Sequence, residues 1–228
     1  MNLFHIVRKK EKKTSNNKII FVTDDGTETI VESVKGLDCK FIGDNNILKI
    51  HKDSFFDQGS CVWFHGSNSY VEFGKIYVHA FINVAIGHNG RLLVGDNFSS
   101  NGSEFNLIED GSYVKIGNDV LFAKGTKIFS SDMHTIYEIS EGKILNYKNQ
   151  IILHDHIWIA EDAMILGNSE VLSDSVIGAK SVVNKRFAEK NIILAGTPAK
   201  IVKKNINWNR SFPSELVRLS QERNIIND

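Results

Sequence analysis

The side chains best suited to moving a proton in this 228-residue chain sit in one short stretch, 130–137 (SSDMHTIY). Its histidine, His134, belongs to the residue type best suited to accept a proton at neutral pH. Asp132, Glu138 or a backbone carbonyl could hold the second ring nitrogen and set the tautomer. The plain alternative is a solvated loop histidine. His154 and His156 stand two apart, a spacing that on a strand turns both side chains to one face. They are the alternative bases or substrate contacts, or else simple strand surface. Trp158 follows closely, a flat apolar ring that keeps a donor N–H. It suits a wall against a sugar or an apolar ligand arm, or packing between subunits. Histidines 5, 51, 65, 79 and 88 carry no motif.

What must position these groups is legible with a six-residue ruler. Apolar residues fall at Leu153, Ile159, Ile165, Val171, Ile177 and Val183, and upstream at Ile116, Phe122 and Ile128. Small residues follow several of them directly, as Gly117, Ala123, Ala160 and Gly178. A period of six is neither the 3.6 of a helix nor the 2 of a simple sheet. It is the hexapeptide repeat of a parallel β-helix, three sides to a coil of about eighteen residues. Segment 131–150 interrupts the beat for about twenty residues, and long excursions from rigid scaffolds usually carry function or disorder. Its His, Tyr and acids favour function. One solenoid has flat outer walls, so several copies should pack with closed symmetry.

The remainder is less regular. Residues 18–34 read as a hairpin turning at Asp25-Gly26. Between 36 and 94 the beat survives in fragments: Ile42-Gly43 with Leu48; Ile50, Phe56 and Val62; Ile86-Gly87 with Leu92 and Phe98. Terminal coils of a solenoid are commonly atypical. Residues 214–224 suit a short amphipathic helix, with Leu216 and Leu219 on one face, packed outside the last coils.

Composition narrows the function. Lysine plus arginine and aspartate plus glutamate balance at 27 each, which gives no electrostatic reason to expect nucleic acid. Hydrophobic residues make up 42%, enough for a core. Two cysteines, Cys39 and Cys61, form no disulfide framework and no zinc motif. They fit a reducing compartment as buried small hydrophobes. No apolar run approaches the ~18 residues of a membrane span. The basic cluster at 8–13 lacks the apolar stretch of a secretory signal and reads as a solvated tail or edge.

Three segments, 156–160 (HIWIA), 177–185 (IGAKSVVNK) and 195–203 (AGTPAKIVK), resemble the signature of the left-handed β-helix, hexapeptide-repeat acyltransferases. The excursion at 130–137, with Asn146 beyond it and 205–208 (NINW) after the last repeat, is similar to the subgroup that O-acetylates bacterial capsular and other surface polysaccharides. The resemblance covers roughly 114–208. It implies an all-β, left-handed parallel β-helix with an extruded loop and a short C-terminal helix. Residues 1–113 would form irregular coils on the acceptor side. Residues 114–204 would be the regular repeat, carrying the catalytic loop 131–150 and the CoA site, and 205–228 a helical tail. It further implies a homotrimer with active sites between subunits, acetyl-CoA as co-substrate and a glycan acceptor, with sialic acid, hexosamine or another hexose unit all open. His134 would be the general base, with Asp132 and Trp158 beside it. Trp158, Ala160, Gly178, Ala179, Lys185 and Lys200 would contact the CoA, helped by Lys203 and Lys204. Ala160 stands where the family usually has Gly, Ser173-Asp174 replaces a Gly-containing corner, and Phe187-Ala188 stands where Pro is common. Acetyl-CoA chemistry and the lack of an export signal give a cytoplasmic expectation. No metal is implied, since the zinc hydratases on this scaffold use a His pair five apart that this chain lacks. The other readings are transfer to an amino-sugar nitrogen or a small-molecule alcohol, and a non-catalytic scaffold.

Overall fold

The computed structural model describes residues 15–147 and 149–226, so the basic cluster at 8–13 lies outside the described residues. The chain winds into a parallel β-solenoid of about seven turns. It opens on a hairpin of β1 (Lys18–Val22) and β2 (Glu28–Val31), followed by β3 (Leu37–Phe41). Three coils of two strands each follow: β4 (Ile47–His51) and β5 (Ser60–Phe64), β6 (Tyr70–Phe73) and β7 (Ala80–Ile86), β8 (Arg91–Val94) and β9 (Ser99–Leu107). Three coils of three strands come next: β10 (Tyr113–Ile116), β11 (Leu121–Phe122) and β12 (Thr126–Phe129); β13 (Gln150–Leu153), β14 (Ile157–Ile159) and β15 (Met164–Leu166); β16 (Ser169–Val171), β17 (Ser175–Ile177) and β18 (Val182–Val183). The chain closes with β19 (Arg186–Phe187), β20 (Ile192–Ala195), β21 (Lys200–Lys204) and α1 (Pro213–Ile226).

One wall stacks β1, β4, β6, β8, β10, β13, β16 and β19. A second is β11–β14–β17–β20 and a third β12–β15–β18. Strand β9 feeds both, its start pairing with β11 and its end with β12. The hexad residues Leu153, Ile159, Ile165, Val171, Ile177 and Val183 are all fully buried, as are Phe122 and Ile128. In these coils Ile151 pairs with Ser169 and Ile157 with Ser175, the eighteen-residue turn read from the sequence.

The eighteen-residue coil does not extend to the N-terminal half. There Ile47 pairs with Tyr70, Tyr70 with Arg91, and Arg91 with Tyr113, turns of 21 to 23 residues. The reason is a longer wall: β7 alone sends Ile82, Val84 and Ile86 inward. A ruler set to six must slip on such coils. It slips first at Ile42, read as an inward residue but 70% exposed, because Leu37, Cys39 and Phe41 hold the inward register of β3.

The small residues that follow the aliphatic ones have a steric cause. A Cβ on Gly87 would enter the carbonyl of Ile108, and one on Gly117 would meet Asp155 and the backbone of His154 in the next coil. Rungs lie ~4.8 Å apart, so only a bare or nearly bare backbone passes there. The other recurrent corner position is left-handed. Asn45, Asn68, Asn89, Asn97, Asp119, Asp174 and Asn191 all have φ between 52° and 63°, the conformation Asn and Asp tolerate best. Their amides also bridge coils, as Asn97 Nδ2 donates to Asp119 Oδ1 at 2.7 Å.

At each end of the stack one wall is closed by an antiparallel hairpin, which blunts an edge that would otherwise recruit more strand. The predicted 18–34 hairpin is β1–β2; β20–β21 closes the other end. Of the two residues expected on the packed face of α1, Leu219 is half-buried and Leu216 is exposed. No helix among the described residues is long and apolar enough to cross a membrane. Gly87→Ala should lower stability by about 1–3 kcal/mol through overpacking against the next coil, measurable as a lower urea midpoint with an unchanged slope.

Candidate active site

His134 is carried on an arm. The third wall breaks off after β12, Met133 turns with φ 61°, and residues 131–149 leave the coil before β13 resumes it. The arm is a short hairpin: Leu145 N–H donates to the Ile136 carbonyl and Glu138 N–H to that of Lys143, both at 2.8 Å. Asn146 clasps its root. Its Nδ2 donates to the His134 carbonyl at 2.7 Å and to Asp132 Oδ2 at 3.1 Å, while its Oδ1 accepts from Ile136 N–H at 2.8 Å. Asp132 is thus tied to Asn146, and among the described residues the His134 ring is exposed with no hydrogen-bond partner. Neither Asp132 nor Glu138 hydrogen-bonds that ring; Asp132 Oδ2 accepts from Asn146 instead. The arm exposes Ile136, Tyr137, Ile144 and Leu145, and Ile139 at its tip is 95% exposed.

A second cluster lies one corner away, between the first and second walls. His156 was expected on a strand beside His154, with both rings on one face. Instead it occupies the left-handed corner position, φ 55°, where other coils place Asn or Asp. His154 bonds Glu170 at 2.9 Å. His156 reaches Asp119 Oδ2 through Nδ1 at 2.6 Å, and Asn207 Oδ1 through Nε2 at 3.1 Å. The tail after β21 runs back down this corner. Trp208 stacks on the His156 ring at 4.4 Å and donates its Nε1–H to the His156 carbonyl at 2.9 Å. Arg210 donates to Asp119 Oδ1, Ser99 Oγ and the Asn97 carbonyl. The result sets Trp208 6.3 Å from Trp158, which is 38% exposed on β14. Asp119 and Arg210 were missed in the sequence, and Trp208 was noted only as the end of the 205–208 motif. The left-handed Asx position in each coil was the available signal.

The predicted CoA contacts divide between two corners. Ala160, Gly178 and Ala195 stack in one column between the second and third walls, since Ala160 N–H donates to the Ile177 carbonyl and Gly178 N–H to that of Leu194. Ala179 follows there, exposed. Lys200 pairs with Ala195 across the closing hairpin, next to this column and also on an edge strand, where lysines discourage strand addition. Lys203 shares that strand, and Lys204 bonds Glu189. Lys185 lies elsewhere, at the corner from which the arm leaves, its Nζ over the Phe187 ring. Within one chain, then, His134 with Asp132 and the Trp158–Ala160–Gly178 surface occupy different corners.

A groove of about 480 Å³ opens on the outer face of β5, β7, β9 and β12. It is bordered by Trp63, Phe81, Asn106 and Lys127, and Asn106 Nδ2 touches Met133 Sδ at 3.4 Å at the root of the arm. Cys61 lies in it, donating its Sγ–H to Asn83 Oδ1. Both cysteines are half-buried rather than fully buried. Desolvation pushes the Cys39 thiol up to about 12, aided by the Asp38 charge, and raises that of Cys61. Neither is poised as a thiolate nucleophile. At the N-terminal end, Asp24, His51 and Asp53 converge, and the Lys75 ammonium lies 3.2 Å from Asp24 and 3.6 Å from Asp53, supplying the charge that cluster calls for.

No family model matches the chain. Over 116 residues, 51% of its length, it is 32% identical to a polysialic acid O-acetyltransferase of Escherichia coli O1:K1 / APEC, and over 109 residues, 48% of its length, 37% identical to one of Neisseria meningitidis. These matches span 38% and 50% of those proteins, so the chain aligns with half or less of the curated relatives. The crystal structure of the polySia-specific acetyltransferase NeuO superposes with a TM-score of 0.67 at 28% identity, over 92% of this chain and 88% of that one. In fold and in sequence the chain is similar to hexapeptide-repeat acetyltransferases. Its relatives among these include polysialic acid O-acetyltransferases.

Two outcomes follow. Trp208→Ala should remove the near-ultraviolet circular dichroism couplet of the adjacent indoles and speed hydrogen exchange at His156. Cys39 in the native chain should resist iodoacetamide at pH 7 and react at the rate of an unfolded thiol only in denaturant.

Proposed function

We propose that the chain is an acetyl-CoA-dependent O-acetyltransferase that modifies a sugar hydroxyl of a bacterial capsular or other surface polysaccharide, working in the cytoplasm as a homotrimer. The observation that carries this reading is the arm: a solvent-facing, unpartnered imidazole held by a clasped backbone beside an open groove. Acetyl-CoA would supply an activated thioester carbonyl. His134 would accept the acceptor hydroxyl's proton as its oxygen attacks that carbonyl, then return the proton to the departing CoA sulfur, so that no acyl-enzyme forms. Such direct transfer asks mainly for positioning and a base.

The placement of the groups supports a trimer. One chain holds His134 at one corner and the Trp158–Ala160–Gly178 surface at others, and a second copy would bring its arm to a neighbour's wall. The exposed Ile136, Ile139, Ile144 and Leu145 of the arm are what such a contact would bury. Trp158, steadied by Trp208, would form the aromatic side of the cleft. The column at Ala160, Gly178 and Ala179 would admit the pantetheine arm, and Lys200 and the neighbour's Lys185 would meet the phosphates.

Thiol release from acetyl-CoA in the presence of a glycan panel tests this directly. His134→Ala should cut turnover by ~10²–10⁴, while acetyl-CoA still raises the Tm. An undiminished rate in the variant would end the assignment of the base, and thiol release with no panel member would end the reading as a glycan acetyltransferase.

A further inference from the structure

The groove on the N-terminal coils is a concavity of about 480 Å³ that the reaction just outlined does not use. Its shape follows from the register. On the outer face of the third wall, Trp63, Ala85, Asn106 and Phe129 form one column, rung upon rung. Ala85 is the low point between Trp63 and Asn106, and it leaves the floor open. Beside it the Phe81 ring lies over the backbone at Gly59 and Gly102, both with positive φ, where any Cβ would touch it. Trp63 and Phe81 each remain 37% exposed, unusual for large aromatics on a wall whose inner face is sealed.

The rim is polar. Asn101 and Asn106 offer amides; Lys124 and Lys127 are cations with no ion-pair partner among the described residues, and they outnumber the one carboxylate there, Glu104, which pairs in register with Lys127. Exposed aromatic faces between amides match the alternating C–H faces and hydroxyls of sugar rings. Lysines on one flank add a site for carboxylates. A protein partner would call for a broad continuous apolar patch, whereas this groove alternates ring and amide. Its length, four rungs at ~4.8 Å or about 14 Å, exceeds one sugar ring. Its end is fixed as well, for Asn106 touches Met133, the residue before His134.

We infer that this groove, from Trp63 and Phe81 to Asn106, is a binding track for an extended, carboxylate-bearing oligosaccharide, which it delivers to the His134 arm. The inference rests on the proposed acetyl transfer for the identity of the reaction but not for the binding itself. The track holds several sugar units beyond the one modified, so that affinity grows with acceptor length. Lys124 and Lys127 select acidic over neutral chains.

Binding is measured without acetyl-CoA, by calorimetry with oligosialic acids of one, three and six residues and a neutral β-glucan hexamer. The acidic hexamer should bind at least tenfold tighter than the monomer and than the neutral hexamer. Trp63→Ala/Phe81→Ala should abolish the length dependence, with Trp63→Phe restoring part of it. Lys124→Ala/Lys127→Ala should abolish the preference for acidic over neutral chains. An acetyl-CoA-induced Tm rise in each variant certifies folding. Equal affinity for monomer and hexamer in the unaltered protein, length dependence that survives loss of both rings, or a change of oligomeric state in the ring variant by sedimentation would each overturn the track. If the track binds the acidic hexamer as expected while no glycan supports thiol release, the inference stands and the proposed transfer falls. Transfer to glycans with no length dependence gives the converse.

Discussion

Nearly every feature of this molecule depends on backbone hydrogen bonds passed from one rung to the next. A parallel coil satisfies its amides only by lying directly over its neighbour, so register propagates along the whole stack. Corners must then turn without breaking the ladder. That requirement selects bare backbone at Gly87 and Gly117, left-handed Asn or Asp at Asn97 and Asp119, and buried hydroxyls such as Ser112 and Ser130, whose oxygens meet at 2.8 Å. Among the described residues no buried side-chain polar atom lacks a partner. A wall built this way is stiff, which allows an arm and a tail to be fastened to it at fixed places.

The functional groups use departures from this regularity. The arm begins where a corner is extended by residues 131–149 instead of closing in two. His156 stands where an Asx belongs and gains Asp119 and Trp208 as partners. The groove exists because β5 and β7 belong to wider coils and because Ala85 interrupts a column of larger side chains. Each departure leaves the inner face untouched: Phe64, Ile86 and Phe105 stay fully buried behind the groove. Core and surface are therefore separable, and chemistry can be rewritten on the outside without renegotiating packing.

The C-terminal repeat was readable because an eighteen-residue coil places one aliphatic residue on each side, and nothing else produces a period of six. The wider N-terminal coils were readable only in fragments: Ile50, Phe56 and Val62, then Ile86, Leu92 and Phe98, are buried as read, but a wall with Ile82, Val84 and Ile86 inward has the period of an ordinary strand. The hairpin at Asp25-Gly26 and the excursion around His134 were likewise legible, from turn chemistry and from a break in rhythm. What the sequence concealed were contacts made across coils. Arg210 meets Asn97 and Asp119 from about a hundred residues away, and no local pattern announces it. Turn geometry, which a hydrophobic rhythm does not report, hid the role of Asn146 as the clasp of the arm and the left-handed corner at His156 that separates it from His154.

The returning tail also bears on how the molecule comes apart. An array of stacked repeats with only nearest-neighbour coupling can fray from its end, one repeat at a time. Here the segment beyond the last coil doubles back and is riveted by Trp208 and Arg210 to the middle of the stack. Loss of the terminal coils would have to tear that seam, so the downstream half should melt as a single cooperative block, with a zipper closed from both sides in place of a ragged end.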